Sequence, residues 1–327
     1  MTESKIKKYK MVVWLPILVL FIGIGLLSPA VHLTHYEHKD HLKTNASLNA
    51  ETYSERMKSE LSKGVAVTNA LEQILISEKG EVNDFDTVAK NLITEYIQSI
   101  QLAPDGVVTQ CYPPSTARDS GVDVFRDPQS ATISEYARDH DKITVQGPFT
   151  LSQGGEGIVI RNPVYLAKED DTPESQEFWG FTVVIIKVPK IFEDSIEALD
   201  SFGYDYRLTK ESSIDERDSK TVFSSEAELT TPATKSFTLG CSTWTLEVMP
   251  HGGWNAGDKT MVVFLTGALI ILLFAALTLF TLILAERHNK YKQLATVDVL
   301  TGLLNRAGFE NAFAKYLSSH EGEPCVE

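Results

Sequence analysis

Cysteine is scarce, with Cys111, Cys241 and Cys325 the only three in 327 residues. That excludes a fold stapled by many disulfides. Basic side chains are also few where they would matter. Of 30 Lys and Arg against 44 Asp and Glu, four and one lie in the first ten residues, and five and six lie from residue 286 onward. The stretch between therefore keeps 21 basic and 37 acidic groups, a net charge of −16. Such a surface does not suit nucleic acid, whose binding is driven by Lys and Arg displacing counterions. Motifs of chemistry are missing too: there is no nucleophile elbow, zinc-protease spacing or phosphate-cradling loop. Ser152-Gln153-Gly154-Gly155 is glycine-rich but reads as a hairpin turn, lacking a following helix and a suitably spaced Lys. Glu169-Asp170-Asp171 lacks the Gly and distal Glu of a calcium loop and reads as a solvated run.

Charge is absent altogether from two stretches. Residues 261–285 carry none, and at 1.5 Å per residue they extend about 37 Å, enough to cross a bilayer core with some tilt. Residues 11–27 are likewise uncharged and, with 28–31, just long enough to span. Lys5, Lys7, Lys8 and Lys10 precede the first stretch, and Arg287, Lys290 and Lys292 follow the second. Under the positive-inside rule both termini are cytoplasmic and the long segment between is translocated. A cleaved signal peptide is the competing reading of residues 1–31; the length of the apolar core favours an uncleaved anchor. Cys111 and Cys241 then lie outside as a candidate disulfide pair, and Cys325 lies in the reducing cytoplasm.

In chain order, His32, His35, His38 and His41 recur at spacing three after the first span. They are either a polar collar at the membrane surface or a metal or proton sensor. From 45 to 77, Met57, Leu61, Val65, Val67, Thr68, Leu71, Ile74 and Leu75 give a helical apolar face without proline. Gly80 is its stop. A second helix is expected over 85–100, with Asp84 as cap and Val88, Leu92, Ile93 and Ile97 inward. The period then shortens to two. A strand follows Asp105-Gly106, a short helix covers 131–139, and strands are expected at 143–146, 157–165 and 178–186, the last two adjacent and antiparallel. Residues 202–254 read as a smaller strand-rich unit in which Trp254 serves as an interfacial anchor.

Arg161 stands out because it interrupts an apolar strand where a merely solvated position would more readily hold Lys or Glu. Alternation puts it on the face of Val159, and it puts Trp179 and Phe181 on one face of the next strand. Two readings stay open. Either the guanidinium holds a carboxylate or other small anion between aromatic walls, or it forms a structural ion pair with a local acid such as Glu156.

Leu102-Ala-Pro-Asp-Gly-Val107, the 123–128 loop, Gly147-Pro-Phe-x-Leu151, Arg161-x-Pro-Val-Tyr165 and Phe178-Trp-Gly-Phe181, in that order, resemble the bacterial CHASE sensor domain over about 65–210. The resemblance implies an α+β chain in which two transmembrane helices flank an extracytoplasmic PAS-like α/β sensor with a long N-terminal stalk helix. It further implies a homodimer in the bacterial inner membrane with a small periplasmic ligand. Arg161, Tyr165, Phe149, Trp179 and Phe181 are the candidate ligand contacts. The plant cytokinin-receptor branch has a small hydroxyl residue in place of Arg161, so a cytokinin-like ligand is not implied.

A second resemblance rests on Asp298-x-Leu300-Thr301-Gly302-Leu303-x-Asn305-Arg306, which looks like the opening of the GGDEF domain of diguanylate cyclases. In that family the Asp and Arg tie the turn between signalling helix and catalytic domain. The catalytic residues of the family lie beyond its first helix, so this chain is expected to contain none of them. Mg²⁺ and GTP are implied only for a complete domain. The resulting division is 1–10 cytoplasmic, 11–31 first span, 32–260 sensor with a smaller subdomain over 202–254, 261–285 second span, 286–297 signalling helix and 298–327 incomplete GGDEF start. Along the signalling helix Leu284, His288, Tyr291 and Ala295 keep the 4-3-4 spacing of a short dimer seam. A ligand-binding membrane protein without enzymatic output, or the sensor of a histidine kinase, is the alternative.

Overall fold

The computed structural model describes residues 3–151, 154–167, 176–298 and 301–319. The chain forms two compact units, residues 39–256 and, from both ends of the sequence, residues 1–38 with 257–327.

The unit of residues 39–256 is built on the C-terminal part of helix α1 (Glu3–Ser77). Ala46, Ala50, Tyr53, Met57, Leu61, Gly64, Thr68, Leu71 and Leu75 are buried along it, with Ser54 buried beside Tyr53. The nine advance 29 residues in eight steps, the 3.6 period that keeps one face turned inward. Gly64 lets the helix approach the sheet, with Ile160 and Ile186 where its Cβ would stand. Beyond Ser77 the chain reverses at Gly80, whose φ is 93° and whose N–H donates to the Leu75 carbonyl at 2.8 Å.

The expected second helix is only half present. Helix α2 (Phe85–Leu92) ends at Ile93, which is extended, and β1 (Ile97–Pro104) follows. Spacing of the apolar residues fits either element. Pairing with β5 (Gln176–Val188) decides, because it buries Ile97, Ile100 and Leu102. Asp84 holds the N-cap position at φ 53° without a side-chain capping bond.

β2 (Gln110–Tyr112), α3 (Ala131–His140), β3 (Thr144–Thr150) and β4 (Glu156–Ala167) complete the first layer. The sheet is antiparallel, in order β2-β1-β5-β4-β3. Its strands bury side chains on both faces. Ile158, Ile160, Val184 and Ile186 pack with α1, and Val159, Phe181, Val183 and Ile185 form a second cluster. Helix α4 (Glu193–Ser201) leads to a second sheet of β6 (Tyr204–Ser212), β7 (Lys220–Ser224), β8 (Ala233–Leu239) and β9 (Ser242–Pro250), in order β7-β6-β9-β8. Trp244 is its largest fully buried side chain, and Trp254, expected as an interfacial anchor, packs partly against the core.

One bulge corrects the sequence reading. Val164 pairs with Gly180 but Tyr165 pairs with Phe178, so Trp179 is an extra residue in β5. Phe178 and Phe181 therefore share a face, while Trp179 packs on the α1 side beside Gly80. Gly180 makes this possible, with φ 149° and the Ala103 carbonyl where a Cβ would lie.

In the other unit, α1 carries exposed Trp14, Leu18, Phe21, Ile24 and Leu26, and α5 (Thr260–Thr296) carries exposed Met261, Leu265, Leu269, Leu273 and Phe280. Both helices are long and apolar enough to cross a membrane. Pro16 and Pro29 lie inside α1 without breaking it. Gly23 seats Ile271 and Gly267 seats Leu27, the small-residue contact through which apolar helices approach closely. Helix α6 (Arg306–Ser319) ends the described chain.

Gly180→Ala should destabilise the 39–256 unit by about 1–3 kcal/mol, the cost of forcing a side chain into this backbone region. Urea unfolding followed by the fluorescence of Trp179, Trp244 and Trp254, the tryptophans of this unit, would measure it; an unchanged midpoint would contradict the role given to the bulge.

Candidate ligand-binding site

The face of the first sheet opposite α1 carries a polar row. Strand register aligns Cys111, Gln101, Val183, Arg161 and Thr144 across β2, β1, β5, β4 and β3. The neighbouring row is Ser99, Ile185, Val159 and Gln146. Helix α3 supplies buried Ile133, Ser134 and Ala137, and Ala137 belongs to the same apolar cluster as Val159 and Val183. Arg161 is 5% exposed and Thr144 and Ser134 are fully buried.

The hydrogen bonding of this row is incomplete. Arg161 Nη1 donates to Gln146 Oε1 at 2.5 Å, and Gln146 Nε2 donates to the Gln129 carbonyl at 2.5 Å. Gln101 Nε2 donates to Ser99 Oγ at 3.1 Å. Among the described residues, Arg161 Nε, Thr144 Oγ1 and Ser134 Oγ are buried without a partner. Each such group costs about 1–3 kcal/mol, more when charged. Burial pulls the Arg161 pKa down to about 10, against the opposing pull of Asp127 and Asp218. It stays cationic at neutral pH, bonded to a neutral amide. The ion pair with Glu156 does not form; Glu156 is exposed at the far end of β4, opposite Val188.

Beside this row stands an aromatic group. Phe125, Phe178 and Phe181 have ring centroids 5.1–6.1 Å apart, and Tyr165 meets Phe178 edge-on at 5.6 Å. The Tyr165 hydroxyl donates to the Arg138 carbonyl, and the Arg138 guanidinium lies 4.9 Å over Phe125. Burial raises the Tyr165 pKa, with Asp141 and Asp139 adding to the effect. Of the five candidate contacts, Arg161, Phe181, Phe149 and Tyr165 gather around this face and Trp179 does not. Thr144, Gln146 and Ser134 are absent from the sequence reading. Alternation of Thr144 and Gln146 with Ile143 and Val145 marks a polar face of β3, but only the register places it beside Arg161.

β3 is the edge of its sheet, and the second sheet covers that edge. Val145 N–H donates to the Gly240 carbonyl at 3.1 Å, and Lys210 Nζ donates to the Val145 carbonyl at 3.2 Å. Gly147 N–H donates to Asp218 Oδ1 at 2.8 Å, and Lys220 Nζ donates to the Pro148 carbonyl at 3.1 Å. Lys210 and Asp218 form a buried ion pair at 2.5 Å. Burial lowers the Lys210 pKa against the upward pull of Asp218. A cavity of about 490 Å³ opens at this junction, lined by Gln146, Phe149, Gln129, Asp215, Lys220 and Thr221 among others.

Elsewhere, His35 Nδ1 lies 2.7 Å from Asp258 Oδ2. Bonds from Thr260, with His35 adding to them, hold the Asp258 pKa down at about 2. Among the described residues no group of three or more potential ligands could hold a metal ion; Glu169, Asp170 and Asp171 lie outside them. Cys111 and Cys241 sit on β2 and in the β8–β9 turn and are not bonded to each other.

The segment after α5 is a hydrogen-bonded turn. Asp298 Oδ1 accepts from Thr301 N at 2.9 Å and Thr301 Oγ1 at 2.7 Å, and Asp298 N–H donates to the Leu303 carbonyl at 2.8 Å. Gly302 has φ 72°. Asn305 caps α6 by accepting from Gly308 N at 2.9 Å and reaches back to the Ala295 carbonyl at 2.8 Å. Arg306 Nε donates to Glu310 at 3.1 Å. Leu300 lies outside the described residues.

Residues 82–220 match the family model of the CHASE domain, a stretch that holds Arg161, Gln146, Lys210 and Asp218. Two solved structures are similar in part. An extracellular ligand binding receptor from Desulfohalobium retbaense DSM5692 is 13% identical with a TM-score of 0.48, over 61% of this chain and 39% of that one. The chain thus spans about two fifths of that receptor. The ligand-binding domain of the Pseudomonas aeruginosa PAO1 amino acid chemoreceptor PctC, solved in complex with GABA, is 13% identical with a TM-score of 0.40, over 64% of this chain and 98% of that one. No curated protein matches.

Lys210→Met should cost about 3–5 kcal/mol, because it leaves the Asp218 carboxylate buried and unpaired. Adding Asp218→Asn should recover much of the loss, since the charge goes while the acceptor for Gly147 N–H stays. Denaturant unfolding of the single and double variants would show this non-additivity; equal or additive losses would contradict it.

Proposed function

We propose that this chain is a membrane-anchored sensor that takes a small extracytoplasmic anion on Arg161. One observation carries the reading: a charged guanidinium is sealed beneath α3 with a neutral partner on Nη1, while its Nε and the neighbouring hydroxyl of Thr144 are buried and unsatisfied. Ser134 adds a third group unsatisfied among the described residues, a hydroxyl from the covering helix. All three can donate. A carboxylate supplies the acceptors they lack, and the adjacent Phe181 cluster favours an apolar body behind it.

The same proposal makes the first sheet a PAS-like sensor module, α1 and α5 the two spans, and the cytoplasmic side the one bearing both termini. It also assigns a homodimer whose occupancy biases two arrangements of α5. The output we infer is a diguanylate cyclase. Its support is the hydrogen-bonded turn at 298–306, in which Asp298, Gly302 and Asn305 each have a structural task. Gly308 adds to it, because the Thr296 carbonyl stands where its side chain would be.

A panel of small carboxylates and their neutral amides, added to the full chain in nanodiscs, tests the ligand class. The carboxylates should raise the melting temperature and the amides should not. Arg161→Ala should abolish the effect with the fold intact, and Arg161→Lys should weaken it markedly, since the fork geometry is lost. Stabilisation by amides, or by carboxylates in Arg161→Ala, would refute the anion assignment.

A further inference from the structure

Gln146 stands between the guanidinium and the cavity at the junction of the two sheets. Its Oε1 accepts from Arg161 Nη1, and its side chain lines the 490 Å³ junction cavity. Arg161 itself does not line that cavity. An incoming acceptor therefore reaches the guanidinium by taking the place of the Gln146 amide oxygen, and the displaced amide turns into space it already borders.

We propose that Gln146 is the selectivity gate of the Arg161 site and that the junction cavity is its port, a proposal that rests on the anion reading above. Exchange of one neutral acceptor for another gains nothing, so a neutral amide ligand does not open the gate. A carboxylate replaces a neutral hydrogen bond with charge-assisted ones, roughly twice as strong, and also reaches the unsatisfied Nε. Lys220, whose Nζ lies on the Pro148 carbonyl and 5.9 Å from the Phe149 ring centroid, places a cation in the port wall. Of the three acids of the same wall, Asp215 and Asp218 are engaged by Arg217 and Lys210, and Glu156 is exposed. Gate opening also breaks the Gln146 to Gln129 bond, which ties β3 to the chain just before α3.

Benzoate and acetate are the probes, with benzamide as control, titrated calorimetrically into the full chain in nanodiscs. Gln146→Ala removes the internal competitor, so benzoate or acetate should bind on the order of tenfold more tightly than in the wild type, the scale of one hydrogen bond to a charged group. Gln146→Glu supplies an internal carboxylate, so binding should fall by at least about tenfold while the melting temperature rises. Gln146→Met preserves side-chain length and should behave as the Ala variant if Ala leaves a fold defect. Equal affinity in the wild type and the three Gln146 variants, with binding lost in Arg161→Ala, would overturn the gate alone. Absence of binding by both anions in the wild type and in Gln146→Ala, or binding that persists in Arg161→Ala, would overturn the anion reading and the gate with it.

Discussion

β3 is bonded on both sides, and much of the molecule depends on it. Its inner edge pairs with β4 and sets Thr144 and Gln146 against Arg161 and Val159. Its outer edge is satisfied by Lys210 and Lys220 of the second sheet and by Gly240 and Asp218 of its connecting turns. An open edge of this kind would expose unpaired backbone groups. Covering it with a buried ion pair joins two sheets that otherwise have separate pairing, and it makes the strand that faces the site answer to both.

The chemistry of the site follows from burial. A guanidinium removed from water needs acceptors for five N–H donors, and the sheet gives Nη1 an amide oxygen while Nε has none among the described residues. On the proposed reading, such a group is weakly rewarded without ligand and gains when an anion arrives. Stability is thus held below its local maximum at the place where a ligand can supply the difference. Val183 in the same row and Val159 in the next are the apolar neighbours of Arg161 on this face.

Local patterns made the strands, the short helix and the apolar runs legible, because periodicity records which face is buried. Three points were not legible for physical reasons. Ile93 to Ile100 fits helix and strand alike, and only the partner strand β5 selects. Trp179 follows the expected alternation until the Gly180 bulge, a backbone event tied to a positive φ and to the Ala103 carbonyl. Arg161 was visible as an anomaly, but its partner was not: Gln146 is fifteen residues away and looks like any strand-facing polar residue until register is known.

The central claim is that Arg161 is a charged, incompletely bonded group awaiting an anion. Nitrogen NMR of the full chain in nanodiscs with ¹⁵N-labelled arginine reads its Nε–H directly, with the signal assigned by its loss in Arg161→Lys. The account predicts a slowly exchanging Nε–H resonance, protected by burial, that shifts when a carboxylate is added and stays in place with the matching amide. A rapidly exchanging Nε–H, or one unmoved by every carboxylate, would contradict it.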